Sequence, residues 1–201
     1  RALSGDSEGV QYAKVLAEAG YVPFILYYRL NPNLYPAPQN DLTRAIEYVR
    51  THADRYGADA DDILCVGSSA GGHLCASTAM LNHGTPGCPD KLCLCYPVIS
   101  LTQEAHEDSG LALTDNDPKL LEMLSVDKHI TPDFPQTFLW TCLDDSLVPP
   151  SNTLRMAEAL EAAGVEHLCH VYETGEHGCG LAAGTSAEGW IYEMIDYMSG
   201  K

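Results

Sequence analysis

A chain of 201 residues with 45% hydrophobic content is long enough for one globular domain with a real core. No apolar run approaches the roughly 20 residues of a membrane-spanning helix. The 28 acidic residues against 11 basic give a formal charge of −17, which disfavours nucleic acid and anionic membranes as partners and leaves a neutral substrate open.

The chain opens on Arg1, and no signal-peptide pattern follows. "YVPFILYYRL" (21–30) is apolar and aromatic and predicts a strand. Residues 38–57 carry Leu42, Ala45, Ile46, Val49 and Ala53 at helical spacing, with Gly57 as the stop. "DILCVGS" (62–68) predicts a second strand and 70–82 a helix of small residues. "KLCLCYPVIS" (91–100) predicts a third strand, closed by Pro97. Residues 101–134 show no clear period and predict an irregular excursion with one short helix near 118–125. A fourth strand (135–142), a helix (150–164, stopped by Gly164), a fifth strand (166–173) and an amphipathic helix (186–198) complete the pattern. No repeat or linker interrupts it, so 1–201 reads as a single domain.

Strands alternating with helices predict an α/β fold: a three-layer αβα sandwich on a mostly parallel sheet of about five strands. Most of the eight cysteines fall in the apolar runs, and Cys93 and Cys95, two apart, share one face of their strand. No C-x-x-C pair gives zinc-ribbon spacing. Small buried thiols imply a reducing, cytoplasmic compartment.

Sites in such sheets lie past the carboxyl ends of the strands. Past strand 62–68 stands Gly67-Ser68-Ser69-Ala70-Gly71, which fits G-x-S-x-G in one register only, with Ser69 central. Ser68 would need glycine where Val66 stands, so Ser68 is the spacer of this elbow. The glycines are expected because a Cβ two residues either side of the nucleophile would strike backbone. The helix that starts there makes the Ala70 N–H an oxyanion donor. Past strand 135–142 come Asp144 and Asp145, and past strand 166–173 comes His177 in a glycine-lined loop. Serine, acid and histidine thus arrive in the order of a catalytic triad, with His177 as base for Ser69. His73 is expected to pack within the nucleophile helix, and His52, His83, His106, His129, His167 and His170 lack a partner pattern. "EAHEDSG" (104–110) reads as a solvated loop rather than a metal site, and no metal or organic cofactor is implied.

The stretches "YGADADDILCVGSSAGGHLCAS", "YPVIS", "LSVDKHITPDFPQTFLWTCLDDSLVPPSN" and "YETGEHGCGLA" resemble the α/β-hydrolase fold. The closer resemblance is to bacterial esterases and lipases that include acetyl-xylan-esterase-like deacetylases. In that group the catalytic aspartate stands in a D-x-x-V-P pattern. "DSLVP" fits it from Asp145, so the resemblance implies Asp145 rather than Asp144. It also places Arg1 inside the first helix, with earlier strands and a glycine-rich oxyanion loop upstream. In the family a strand lies between the counterparts of 21–30 and 62–68. Without it, strand 21–30 is expected to close the gap and pair with 62–68 as an edge strand, where Pro23 is tolerated. Self-association through that edge is the secondary expectation.

The function implied is a serine carboxylic-ester hydrolase acting through an acyl-enzyme on short-chain acyl esters, with acetyl groups on carbohydrate as the candidate substrate. The rival is a truncated hydrolase fold with weak or no catalysis that serves in binding or assembly, favoured by the missing oxyanion loop.

Overall fold

The computed structural model describes residues 5–104 and 107–200. Four parallel strands form one sheet in the order β1 (Leu64–Ser68), β2 (Lys91–Cys95), β3 (Gln136–Cys142) and β4 (His167–Tyr172). In register, Ser68 sits beside Cys95, and Cys95 beside Trp140, so the carboxyl ends line up along one rim. The chain enters through a π-helical segment (Gly5–Val10) and α1 (Gln11–Glu18). Then come α2 (Ala37–Tyr56), α3 (Ala70–Leu81), α4 (Glu107–Thr114), α5 (Pro118–Met123), α6 (Ser151–Ala163) and α7 (Trp190–Met198).

The central strands are buried on both faces, which is why they read as unbroken apolar runs. Side chains alternate across β2. Leu92 and Leu94 join Leu42 and Ile46 of α2, Leu74 of α3 and Met156 of α6 on one face. Cys93 and Cys95 join Tyr12 and Leu16 of α1 with Trp190 and Met194 of α7 on the other. The two thiols lie 3.9 Å apart on that shared face. Helix ends follow the glycines: α2 stops at Gly57 (φ 67°) and α6 at Gly164 (φ 73°), left-handed positions that cost an L side chain energy.

Two expectations need correction. The excursion 101–134 is less irregular than its sequence suggests. It holds both α4 and α5, the second capped by the Asp117 side chain on the Lys119 and Leu120 N–H groups. Its apolar side, with Leu101 and Leu124, closes over Val98 and Val148.

Segment 21–30 is not a strand, so among the described residues the sheet has four strands rather than five, and the edge nearest this segment is β1. The segment runs without regular structure and is tethered at both ends. The Tyr21 N–H donates to Leu16 O at 3.0 Å, and the Arg29 guanidinium makes a bidentate pair with Asp41. Between it and β1 lies an open cavity of about 1040 Å³. A strand exists only through its pairing, and these tethers hold the segment away from β1. The cost of unpaired backbone that argued for closure applies to buried groups. Here Val22, Phe24, Ile25 and Tyr27 are exposed, so water can satisfy their backbone.

Candidate active site

The turn from β1 into α3 carries Ser69 at φ 54°, ψ −119°, a conformation L residues rarely adopt. Three backbone bonds hold it. The Ser69 N–H donates to Cys95 O at 2.9 Å, and the Ser69 carbonyl accepts from His73 N (3.1 Å) and Val98 N (3.2 Å). A Cβ at Gly67 would run into the Gly71 carbonyl and lie 2.8 Å from Cys75 Sγ, so only glycine fits there. Gly71 does not fit the expectation, since a Cβ at that position meets nothing within 4 Å. The second crowded position is Gly72, whose Cβ would sit 2.7 Å from Pro97 Cβ. Gly67→Ala is therefore expected to destabilise the fold by about 1–3 kcal/mol. Gly71→Ala, in the first turn of α3, is expected to be neutral or to stabilise by about 0.4–1 kcal/mol. Thermal melts of the two variants check the pair, and equal losses would place the crowding elsewhere.

Three loops converge on one row of hydrogen bonds. Ser69 Oγ lies 2.8 Å from His177 Nε2, and His177 Nδ1 lies 2.7 Å from Asp145 Oδ2. The carboxylate can only accept, so the proton between them belongs to Nδ1. That leaves Nε2 as acceptor for the Ser69 hydroxyl. Asp145 is buried, and its Oδ1 accepts from the Leu147 and Val148 N–H groups at 2.9 Å each.

Asp144 is exposed and points elsewhere. It accepts from Glu176 N (2.9 Å) and Gly175 N (3.2 Å), fastening the loop that presents His177. Ala70 opens α3, so its N–H has no acceptor within the helix, and it lines the large cavity beside Ser69. Ser68 turns away from the row toward Tyr12 Oη, 3.3 Å off.

His73 is 4% exposed within α3, with Nε2 2.8 Å from Leu124 O, and burial lowers its pKa. It is a neutral packing residue that donates to that carbonyl. His83 and His170 have acidic partners, Asp133 and Glu193, that no sequence pattern announced. His106 lies outside the described residues, as does part of the 104–110 stretch. Among the described residues no group of three or more His, Cys, Asp or Glu side chains could hold a metal ion.

Sequence reasoning missed Tyr96, which follows β2 at φ 36° and packs its ring edgewise on His177, centroids 5.0 Å apart. Its place at a strand's carboxyl end, in "YPVIS", was the available signal.

The BD-FAE family model matches residues 3–87, and the prolyl oligopeptidase family model matches residues 100–200. Endo-1,4-beta-xylanase B of Butyrivibrio fibrisolvens is 30% identical over 91% of this chain and 31% of its own length. The acetylxylan esterase of Xylanibacter ruminicola is 31% identical over 89% of this chain and 38% of its own. The chain thus spans about a third of the length of these relatives. The crystal structure of an acetyl ester-xyloside bifunctional hydrolase from Caldicellulosiruptor lactoaceticus is 34% identical. It superposes with a TM-score of 0.90, covering all of this chain and 78% of that one.

Proposed function

The chain belongs to the α/β hydrolases of the prolyl oligopeptidase family, and from that membership we propose that it is a serine carboxylic-ester hydrolase acting on short-chain acyl esters, with acetylated carbohydrate as the substrate class. The observation that carries the reading is the unbroken row from Asp145 through His177 to Ser69, with separations of 2.7 and 2.8 Å. In this reading Ser69 Oγ attacks the acyl carbon as His177 Nε2 takes its proton. Asp145 holds the imidazole in the required tautomer and balances the imidazolium that forms. The Ala70 N–H donates to the oxygen that becomes negative. His177 returns its proton to the leaving alcohol, and water activated by the same imidazole then releases the acid. The preference for acetylated sugar draws on the acetylxylan esterase and the acetyl ester-xyloside hydrolase among the relatives.

The test is release of acetate from acetylated xylan and of p-nitrophenol from p-nitrophenyl esters of increasing chain length, with Ser69→Ala as control. Turnover that falls steeply beyond the acetyl ester supports the reading. Turnover unchanged in the control overturns it.

Among the described residues no helix is long and apolar enough to cross a membrane. All eight cysteines are free thiols, which fits a reducing, cytoplasmic setting. Self-association would use the exposed apolar side chains Val22, Phe24, Ile25 and Tyr27 as a loop surface rather than a strand edge. Sedimentation velocity is expected to show dimers that Ile25→Lys dissociates. A monomer at tens of micromolar removes this part.

A further inference from the structure

Ser69 and His177 belong together chemically, yet the sheet keeps their strands apart. Ser69 follows β1 and His177 follows β4, the two edges, with β2 and β3 between. Pairing in the sheet therefore does not fix the distance between the two loops. A buried group of polar side chains does span them. Tyr12 Oη, from α1, donates to Gly180 O at 3.2 Å, and Gly180 stands three residues past His177. The same Tyr12 oxygen lies 3.3 Å from Ser68 Oγ and 3.4 Å from Tyr96 Oη. Tyr96 Oη donates to Glu8 Oε1 at 2.6 Å, and Trp190 Nε1 also donates to Gly180 O, at 2.9 Å. Tyr12 and Tyr96 are both buried, and burial raises both phenol pKa values, so each keeps its one proton.

Counting protons fixes the direction of each bond. The Gly180 carbonyl and the Glu8 carboxylate only accept. The Tyr12 proton goes to Gly180, and the Tyr96 proton goes to Glu8. No proton is left for the 3.4 Å approach of the two phenols, which is a contact. The Tyr12 oxygen is then free to accept, and the Ser68 hydroxyl is its donor. The result is a directed chain from Ser68 Oγ–H through Tyr12 Oη–H to the Gly180 carbonyl, joining the residue before Ser69 to the loop of His177.

We propose that Tyr12 and Ser68 form a tie that sets the separation of Ser69 and His177, and that Tyr96, braced by Glu8, fixes the plane of the imidazole. These are positioning residues, and the inference rests on the hydrolase reading above. If only bulk mattered, removing the hydroxyls would change nothing. Tyr12→Phe, Tyr96→Phe and Ser68→Ala keep the shape and remove the hydrogen bonds, so they separate packing from positioning. Near-attack geometry is what such a tie protects, since displacement by about 1 Å can cost on the order of 10²-fold in rate.

The experiment measures kcat and KM on p-nitrophenyl acetate, the rate of fluorophosphonate labelling at Ser69, and the melting temperature. It compares wild type, Tyr12→Phe, Tyr96→Phe, Ser68→Ala and the double variant of Tyr12→Phe with Ser68→Ala. Each single variant is expected to lower kcat and the labelling rate by roughly 10- to 100-fold, with KM within about twofold. The double variant is expected to be no worse than the worse single, because both cut one chain. A folding defect would appear in the melting temperature, and Ser68→Ala, at a half-buried site, supplies the second route to the same answer. Wild-type kcat in Tyr12→Phe or in Ser68→Ala, or losses that add in the double, overturns the tie, and wild-type kcat in Tyr96→Phe overturns the role of Tyr96, each while leaving the hydrolase reading intact. A wild-type chain that neither turns over ester nor labels at Ser69 overturns both.

Discussion

Ser69→Ala is expected to lower ester turnover by about 10⁶-fold, the scale seen when the nucleophile of a serine triad is removed. The size of the effect follows from position. Ser69 is the residue whose Oγ reaches His177 Nε2, at 2.8 Å, and whose strained backbone, at φ 54°, aims it out of the turn. Its neighbour Ser68 has committed its hydroxyl to Tyr12 and cannot substitute. A fluorophosphonate probe is accordingly expected to label Ser69 once and Ser68 not at all, read by peptide mass spectrometry. Label that survives Ser69→Ala would move the nucleophile elsewhere.

Asp145→Asn is expected to cost about 10⁴ in kcat, and Asp144→Asn no more than about tenfold. The first figure is the general consequence of presenting the histidine with the wrong tautomer, and the structure says why the amide would do so. Oδ1 of Asp145 accepts from two backbone donors, Leu147 N and Val148 N. An asparagine would keep its carbonyl there and turn its NH₂ toward His177 Nδ1. Nδ1 would then have to accept, the imidazole proton would move to Nε2, and Nε2 could no longer take the Ser69 proton. Asp144 touches no atom of this row. Its loss of one acceptor for Gly175 or Glu176 loosens the His177 loop by about 0.5–1.5 kcal/mol. Steady-state kinetics on the two purified variants decide the matter, and a larger loss from Asp144→Asn would reverse the assignment.

Local chemistry made much of this chain legible from its sequence. The runs "LCLC" and "TFLWTC" announce strands because both faces of a parallel sheet are covered. Gly57 and Gly164 mark helix ends because they adopt left-handed backbone there. The G-x-S-x-G register singles out Ser69 over Ser68 because Gly67 must pass within touching distance of Gly71. Ser69, the Asp144–Asp145 pair and His177 stand past the ends of β1, β3 and β4, and parallel strands bring those carboxyl ends to one rim.

The rest depended on partners far away in the chain. Residues 21–30 have every local mark of a strand, but a strand needs an edge at hydrogen-bonding distance, and the tethers to Leu16 and Asp41 hold this one across a cavity from β1. As neighbours in a turn Asp144 and Asp145 are equivalent, and in the sequence only the resemblance of "DSLVP" to the family pattern preferred Asp145. Three-dimensional placement separates them, one facing His177 and the other the backbone of its loop. Gly72 rather than Gly71 is crowded because Pro97, from the segment after β2, lies against it. Tyr12, Ser68, Tyr96 and Gly180 carry no common pattern, and their hydroxyls and carbonyl meet only because α1 packs across the sheet face between the two loops. Periodicity and turn chemistry act over a few residues and are written in the sequence. Strand pairing, burial of a carboxylate and the direction of a shared proton are set by contacts between distant segments, and those the tertiary structure alone decided.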